Sequence, residues 1–273
     1  MAGVPQICTG TIRLPAMPAQ GNWVGTSMRQ ETFSVLQALA EKHTGQFLHK
    51  NKQVLFAGRL KGLAFRTGHD SIDALARHIG DFRPGANLEL EAATALLDRH
   101  SRFVSERREL APLFEQVIAP ALARTAPGPY RIWCAGCGSG QEAFSLLILL
   151  NNVLPAETVR RIDLVATDIS DAALMRANTG LYSHFEVQVG LTAGNLIRYF
   201  TQASEQRWQV SPDLSRQVQF QAHNLLSPED APGRFDLILC RHVLGGMTPE
   251  HRARAKQALH RHLNPDGHIH LVG

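Results

Sequence analysis

The segment that decides the fold spans residues 130–150 and reads YRIWCAGCGSGQEAFSLLILL. It begins with a short apolar run that contains aromatic residues, which is typical of a buried strand. Gly136, Gly138 and Gly140 then predict a loop, and the residues from Gln141 onward have the composition and length of a helix. A strand, a glycine loop and a helix in this order form a ligand crevice in α/β sheets, because glycines let the backbone approach a ligand closely. We therefore expect an α/β protein with a binding site at this loop.

The spacing of the glycines indicates which class of ligand this loop binds. A dinucleotide fingerprint needs Gly-x-Gly-x-x-Gly, and Gln141 stands where its third glycine would fall. A P-loop needs Lys followed by Ser or Thr after its last glycine, and neither is present. The Gly-x-Gly-x-Gly spacing resembles that of S-adenosylmethionine-dependent methyltransferases.

An acidic residue follows the second predicted strand. Residues 162–167 have the composition of a parallel strand, and Asp168 follows them directly. A carboxylate at this position can accept charge-assisted hydrogen bonds from both hydroxyls of an adenosine ribose. Alternatively, Asp168 caps the helix that starts near Ala172, although Ser170 or Asp171 can fill that role.

Several segments follow the order of one protein family. Residues 132–145 resemble a family segment that ends Ser-Thr-Gly-Glu-Glu-Pro-Tyr-Ser. The other matching segments are ATDI at 166–169, NTGLY at 178–182, RYF at 198–200, NLL at 224–226 and FDLILCR at 235–241. Over roughly residues 30 to 272 the chain resembles the CheR chemotaxis receptor methyltransferases. The resemblance implies a Rossmann-like, S-adenosylmethionine-dependent methyltransferase domain with a small N-terminal helical domain and a small inserted β subdomain.

The resemblance also implies a site for each part of the cofactor. It puts Glu142 near the methionine end, Asp168 at the ribose, and Asn224 and Leu225 at the adenine. The other residues that it assigns to cofactor binding are Ser101, Gly136, Gly138, Arg241 and His242. His242 stands where the family usually has Asn, and an imidazole can replace an amide as a hydrogen-bond donor. No residue is assigned to a metal.

CheR proteins methylate glutamate side chains, a reaction that asks little acid–base chemistry of the protein. A glutamate carboxylate has a pKa near about 4.3, so it is already a nucleophile at neutral pH and needs no general base. The protein must orient this carboxylate toward the sulfonium methyl and remove its water. An amine methyltransferase of the nucleic-acid type would carry Asn or Asp, then Pro-Pro and an aromatic, where residues 240–243 read CRHV.

Two family positions that serve catalysis are changed. The family segment Thr-Asn-x-Thr-x-Phe-Phe-Arg aligns with residues 98–105, so its catalytic arginine becomes Ser105. We predict Arg102, one helical turn earlier, as the replacement, and Arg241 as a second catalytic residue. The family's active-site tyrosine is Gly246 here. Two functions stay open: O-methylation of glutamates on chemoreceptors, or a regulatory role in which a catalytically weak protein binds S-adenosylmethionine or a protein partner.

The composition is that of an ordinary globular protein, with 44% hydrophobic and 19% charged residues and a formal net charge of +4. No apolar run approaches the ~20 residues that span a bilayer. Residues 1–25 lack the basic start and apolar core of a signal peptide. We therefore expect a cytoplasmic protein without direct membrane insertion. The mild charge, without interleaved aromatic residues, argues against a nucleic-acid partner.

A rival interpretation of the glycine loop is redox chemistry. Residues 133–137, WCAGC, mimic the Trp-Cys-x-x-Cys motif of thioredoxin-like oxidoreductases. In those proteins the helix starts at the first cysteine, whereas here the glycines after Cys137 would break it in its first turn. Two cysteines also cannot fill a four-ligand structural zinc site. The sequence therefore disfavours a redox or zinc role.

The predicted organisation is a tail over residues 1–25, a helical domain over 26–124, a Pro/Gly-rich linker over 125–129 and a methyltransferase domain over 130–273, with the insertion at about 181–217. Strands are expected at 208–210 in the insertion and at 218–222, 235–240 and 268–272 in the main sheet. The sequence ends at Gly273, where the family continues with Gly-His-Ser-Glu and a terminal antiparallel pair. We therefore expect an incomplete sheet, through either truncation or a trimmed fold.

A basic segment lies in the predicted helical domain. Residues 49–66 contain no Asp or Glu and five cations, Lys50, Lys52, Arg59, Lys61 and Arg66. Helical spacing predicts an apolar face formed by Val54, Leu55, Leu60 and Leu63. Such a helix is either a solvated surface or a contact surface for an acidic partner. In CheR proteins a basic helix of this domain is thought to contact the acidic methylation helices of receptors, so the expected partner is the cytoplasmic domain of chemoreceptors.

Overall fold

The computed structural model describes residues 28–82, 86–97, 101–124, 128–227 and 233–273. The predicted tail over residues 1–25 and residues 125–127 of the predicted linker lie outside this described part. The strands are β1 (Tyr130–Ala135), β2 (Ile162–Asp168), β3 (Leu181–Ser183), β4 (Phe200–Ser204), β5 (Arg207–Val210), β6 (Val218–Ala222), β7 (Phe235–Arg241) and β8 (Leu263–Val272). The α-helices are α1 (Gln30–Thr44), α2 (Gln53–Arg66), α3 (Ile72–Phe82), α4 (Ala86–Ala95), α5 (Ala111–Leu113), α6 (Ala119–Arg124), α7 (Gln141–Val153), α8 (Ala156–Val159), α9 (Asp171–Thr179), α10 (His184–Gln188), α11 (Ala193–Tyr199), α12 (Pro212–Ser215) and α13 (Pro249–Arg261).

The main sheet has five parallel strands in the order β6-β2-β1-β7-β8. Its central strands are nearly continuous apolar runs because helices cover both faces of a parallel sheet. The order reverses direction beside β1, the position at which α/β sheets open a ligand crevice at the carboxyl ends of their strands. The Rossmann-like fold is thus confirmed, and the glycine loop after β1 lies at this crevice.

The predicted strands at 218–222 and 235–240 agree with β6 and β7 to within a residue. The last strand is longer than predicted, since β8 begins at Leu263. Phe235 pairs with Leu263, the register then shifts, and Leu237 pairs with His268. The intervening Asn-Pro-Asp-Gly sequence forms this irregularity.

A second, antiparallel sheet lies within the predicted insertion. Its three strands have the order β3-β5-β4, and β5 contains the predicted strand at 208–210. Tyr182 of β3 is fully buried, and its ring meets Phe103 edge to face with centroids 5.0 Å apart. The small sheet therefore packs into the main core.

Helices α1 to α4 form a core of their own. The predicted apolar face of α2 is partly wrong, because the exposed fractions of Val54 and Leu55 are 68% and 45%. The buried face consists of Phe56, Leu60, Leu63 and Ala64. Residues spaced by three and four positions share one side of a helix, so a face centred on Leu60 excludes residues 54 and 55.

The predicted helical domain over residues 26–124 is interrupted at residues 101–105, which are not helical. Val104 N–H donates to Ser145 Oγ on α7 at 2.9 Å, and Phe103 is fully buried in the core of the main sheet. Helical turns then run from Glu106, two of them with π-helical hydrogen bonding, through α5 and α6. The domain boundaries stay a prediction.

A short backbone pairing, hereafter the clasp, joins the end of α1 to the loop after β7. Gln46 and Met247 form an isolated antiparallel bridge. Phe47 N–H donates to the Gly246 carbonyl, and Thr248 N–H donates to the Gly45 carbonyl, both at 2.9 Å.

Within the described residues, no helix is long and apolar enough to cross a bilayer.

Candidate functional site

A cavity of about 400 Å³ opens at the carboxyl edge of the main sheet. It is bordered by the glycine loop, by the non-helical residues 101–104 and by the end of α1 with the residues that follow it. Every residue that the sequence analysis assigned to the site lines it: Ser101, Arg102, Gly136, Gly138, Glu142, Asp168, Asn224, Leu225, Arg241 and His242. Ser105 is not among the lining residues.

The glycine loop needs its glycines for two separate reasons. Gly136 and Gly138 have φ of +77° and +55°, a left-handed conformation that side chains disfavour. A Cβ on Gly138 would also lie 1.9 Å from Ser101 Oγ, and one on Gly136 would lie 2.3 Å from a Val243 methyl. Ser101 Oγ accepts a hydrogen bond from Ser139 N–H at 3.2 Å, so the loop is held against residues 101–104.

Asp168 supports the loop from the end of β2. Its Oδ2 accepts a hydrogen bond from Gly138 N–H at 2.8 Å, and its Oδ1 accepts one from Ser170 N–H at 2.9 Å. Ser170 is the N-cap of α9, and its hydroxyl accepts from Ala173 N–H. The helix is therefore capped without Asp168, and the Asp168 carboxylate lies at the cavity wall.

Asn224 joins two parts of the molecule. Its Nδ2 donates to the His43 carbonyl on α1 at 2.9 Å, and its Oδ1 accepts from Leu226 N–H at 3.0 Å. Leu225 beside it is only 7% exposed. The side-chain oxygen of Asn224 and one of its N–H groups thus make contacts within the protein.

Four alternating charges form the charge network of the cavity, defined as Arg102, Glu109, Arg241 and Glu142. Arg102 donates from Nη1 and Nη2 to the two carboxylate oxygens of Glu109, each at 2.9 Å. Arg241 Nη2 also donates to Glu109 Oε2, and its Nε lies 3.5 Å from Glu142 Oε2. Glu109, which joins both predicted catalytic arginines, was not predicted from the sequence.

The two carboxyl groups of the charge network have opposite pKa shifts. Burial raises the pKa of Glu142 to about 7, although Arg241 opposes this shift. Burial also raises the pKa of Glu109, but hydrogen bonds from Arg102 and Arg241 outweigh it and hold the pKa at about 2. Glu109 is therefore a permanent anion, whereas Glu142 titrates near neutrality.

His242 has an unusual backbone, with φ of +56°. Its N–H donates to the Val272 carbonyl on β8 at 2.6 Å. Left-handed backbone is rare for residues with a Cβ and concentrates at functional sites. Sequence analysis recognised the change of residue type here but not the conformation.

Gln46 occupies the space beside Gly246, a feature that sequence analysis also missed. A Cβ on Gly246 would lie 1.9 Å from Gln46 Oε1. Gln46 Nε2 donates to the Val243 carbonyl at 2.9 Å. A polar side chain from the end of α1 therefore fills the position next to the one where the sequence predicted a lost tyrosine.

The small antiparallel sheet and the helix that follows its first strand make hydrogen bonds to the glycine loop and to the start of α7. The Tyr182 hydroxyl donates to the Ser139 carbonyl at 2.6 Å, and Gln141 Nε2 donates to Glu186 at 3.3 Å. Glu186 also completes a capping box with Ser183 at the start of α10. The loop is thus held on one side by the small sheet and on the other by residues 101–104.

The cysteines near the loop have no feature of a reactive pair. Cys134, Cys137 and Cys240 are buried free thiols. Burial raises the pKa of each of them, the reverse of the shift that activates redox thiols. Within the described ranges no group of three or more His, Cys, Asp or Glu side chains is placed to hold a metal ion.

Comparison with known proteins agrees with this geometry. The family model described as CheR methyltransferase, SAM binding domain, matches residues 99–273. The chain is 29% identical over 243 residues to chemotaxis protein methyltransferase Cher2 of Pseudomonas putida, which covers 88% of each chain. It is 29% identical over 242 residues to chemotaxis protein methyltransferase 1 of Pseudomonas aeruginosa, again covering 88% of each. A chemotaxis protein methyltransferase of Vibrio parahaemolyticus is 28% identical over 240 residues, which is 85% of this chain and 84% of the relative.

Proposed function

The chain belongs to the CheR methyltransferase family, whose cofactor is S-adenosylmethionine, and on that premise we propose that it methylates glutamate side chains of chemoreceptors. The relatives named as chemotaxis methyltransferases support this substrate. The observation that carries the proposal is the placement of Arg102 and Arg241 in the same cavity as the glycine loop and Asp168. A guanidinium is the side chain best suited to orient a carboxylate.

The residues present fit the cofactor. When bound, S-adenosylmethionine supplies a methyl group on a positively charged sulfur. Asp168 presents a carboxylate beside the glycine loop for the ribose hydroxyls, and the positive φ of the glycines opens the backbone toward the ligand. Glu142 offers a carboxylate for the ammonium of the methionine part. Arg241 Nε is buried without a hydrogen-bond partner, so a donor is available at the same end.

Cations at the cavity favour an acidic methyl acceptor. Arg102, Arg241 and Lys52 line the cavity together with the carboxylates of Glu142 and Asp168. The cations can attract a substrate carboxylate and keep it ionised. Since an ionised carboxylate needs no base, the tasks of the protein are to hold it in line with the methyl group and to exclude water.

Arg102 takes the role that Ser105 cannot perform. Its two hydrogen bonds to Glu109 fix the plane of the guanidinium, while 45% of the side chain is still exposed. The exposed part can meet an incoming substrate. Arg241, whose side chain is 5% exposed, is better placed to stabilise charge inside the cavity.

A second candidate function is regulatory binding of the cofactor without efficient turnover. The observation that favours it is that Glu109 already pairs with both arginines. A guanidinium that is neutralised by a protein carboxylate binds a substrate carboxylate more weakly. In this case S-adenosylmethionine would bind without methyl transfer.

Transfer of labelled methyl from S-adenosylmethionine to cytoplasmic fragments of chemoreceptors separates the two functions. Glutamate methyl esters release methanol in base, whereas N-methyl groups do not. We expect base-labile incorporation, reduced about a hundredfold in Arg102→Gln because the substrate is misplaced. Arg108→Gln, an exposed arginine on the helical turn that follows residues 101–105, is the control and should keep full activity. Cofactor binding without incorporation into any fragment would favour the regulatory function instead.

A further inference from the structure

We propose that Glu109 is a positioning residue that keeps Arg241 from forming a direct hydrogen bond to Glu142, with which it makes a looser ion pair at 3.5 Å, and so keeps the Glu142 carboxylate available for the ammonium group of the cofactor. The role of Glu142 in this inference rests on the proposed use of the site. Glu109 stands at the centre of the charge network, where it accepts two hydrogen bonds from Arg102 and one from Arg241. It lies on the helical turn Glu106–Leu110, outside the glycine loop and the sheet.

The choice of carboxylate partner by Arg241 is the central point of the inference. A buried cation requires a carboxylate partner, and two are within reach. The hydrogen bond of Arg241 goes to Glu109, while its Nε stays 3.5 Å from Glu142 without forming one. Glu142 therefore interacts electrostatically with Arg241, but its carboxylate oxygens can still accept a hydrogen bond from another donor.

Arg102 and Glu109 act together in this arrangement. The bidentate pair orients the Glu109 carboxylate, and its Oε2 serves both arginines. Without the carboxylate at position 109, Arg241 would have only Glu142 as an anionic partner in the charge network. The resulting close ion pair would compete with the ammonium of the cofactor for the same oxygens.

The pH dependence of binding offers a readout that a purely structural role would not change. The charged or titratable groups that act on Glu142 are Arg102, Glu109 and Arg241, with the thiols of Cys134, Cys137 and Cys240 nearby. Burial raises the pKa of Glu142 to about 7, Arg241 and Arg102 lower it, and Glu109 raises it. Because the ammonium binds the ionised form, affinity should rise as pH increases through about 7.

Removal of the charge on Glu109 or on Arg102 moves this transition in opposite directions. Glu109→Gln takes away an anion that raises the pKa of Glu142, so the rise in affinity should shift to lower pH. Arg102→Gln takes away a cation that lowers this pKa, so the rise should shift to higher pH. A general loosening of the site would not produce opposite signs.

The experiment is calorimetric titration of S-adenosylhomocysteine, which carries the same ammonium, into the 273-residue protein across pH 5.5 to 8.5 (about half-unit steps). For Glu109→Gln we expect about tenfold weaker binding at the alkaline end, where Glu142 is ionised, because Arg241 then competes with the ammonium for its oxygens. The midpoint should also shift to lower pH, because an anion near Glu142 is lost. Glu115→Gln, an exposed glutamate of the next helical turn, is the control and should match the wild type.

Unchanged affinity and midpoint in folded Glu109→Gln would overturn the inference. Should this variant fail to fold, Arg102→Gln decides, because its side chain is 45% exposed and its loss leaves the core intact. A midpoint that stays in place or moves to lower pH in Arg102→Gln would also overturn it. No methyl acceptor is needed, so a protein with these shifts but without methyl transfer would refute the proposed function and not the role of Glu109.

Discussion

The two sides of the cavity are built by different means. The cofactor wall, meaning the glycine loop of residues 136–140 with Asp168, is formed largely by backbone conformation and backbone N–H groups. The reaction rim, meaning the charge network with Gln46 and Gly246, is formed largely by side chains from the residues after α1, from residues 102–109, from α7 and from the end of β7. Backbone geometry tolerates few substitutions, whereas a side chain can be replaced by another that reaches the same point from elsewhere. The rim can therefore diverge while the wall is kept.

The sharpest test of the cofactor wall is Asp168→Ala. The substitution removes the acceptor of Gly138 N–H and the carboxylate proposed for the ribose. Hydrogen bonds to charged groups contribute about 1.5–3 kcal/mol each, so we expect the Kd for S-adenosylmethionine to increase by about a hundredfold or more. Asp171→Ala is the control, since Ser170 caps α9. Both Kd values are measured by calorimetry. A comparable loss of affinity in the two variants would contradict a specific role of Asp168 in cofactor binding.

The rim is tested by Gly246→Tyr, which restores the residue that the family resemblance led us to expect. The new Cβ would displace Gln46 and break its hydrogen bond to the Val243 carbonyl. We expect the variant to be destabilised by about 1–3 kcal/mol in denaturant unfolding, without a gain in methyl transfer. The double variant with Gln46→Ala should recover part of this loss. A fully stable single variant would contradict the idea that Gln46 fills the position.

The smallest expected effect concerns the support of the wall. Tyr182→Phe removes the hydrogen bond to the Ser139 carbonyl, and Tyr199→Phe removes one to Asn152, away from the glycine loop. Each should cost about 1 kcal/mol in the free energy of unfolding. Only Tyr182→Phe should also weaken cofactor binding, by a few-fold, because only this hydroxyl holds the loop. Equal cofactor affinities for the two variants would separate the small sheet from the site.

The same contrast decides what the sequence could predict. Glycine spacing and an acidic residue at a strand end are local patterns, so the loop, Asp168 and the Rossmann-like fold were predicted and the fold is confirmed. Glu109 was missed because Arg241, one of its partners, is 132 positions away, and Gln46 was missed because Val243 is 197 away. Arg102 and Glu109 are seven apart, but residues 101–105 are not helical, so helical spacing could not pair them.

The apolar face of α2 shows a different limit. Val54 and Leu55 are as apolar as Leu60, so the spacing of apolar residues predicted all three on the buried face of α2. The position of Phe56 decides the matter, since it is 2% exposed and shares a side of the helix with Leu60. Cations on α2 also have intramolecular partners, among them Arg59 on the Leu96 carbonyl and Arg66 on Glu91. The tertiary structure decides which cations of a basic helix pair with groups of the same protein. The spacing of residues in the sequence cannot predict these pairs.

The clasp between residues 45–47 and 246–248 closes a long chain segment. It joins positions about 200 residues apart, and closing so long a chain segment has an entropic cost that only contacts already formed on both sides can offset. The α1 to α4 core consists of contacts between positions that are nearer in the sequence. The reaction rim is therefore the part of the cavity that depends on closure of a long chain segment, because Gln46 and Gly246 lie at the two ends of the clasp.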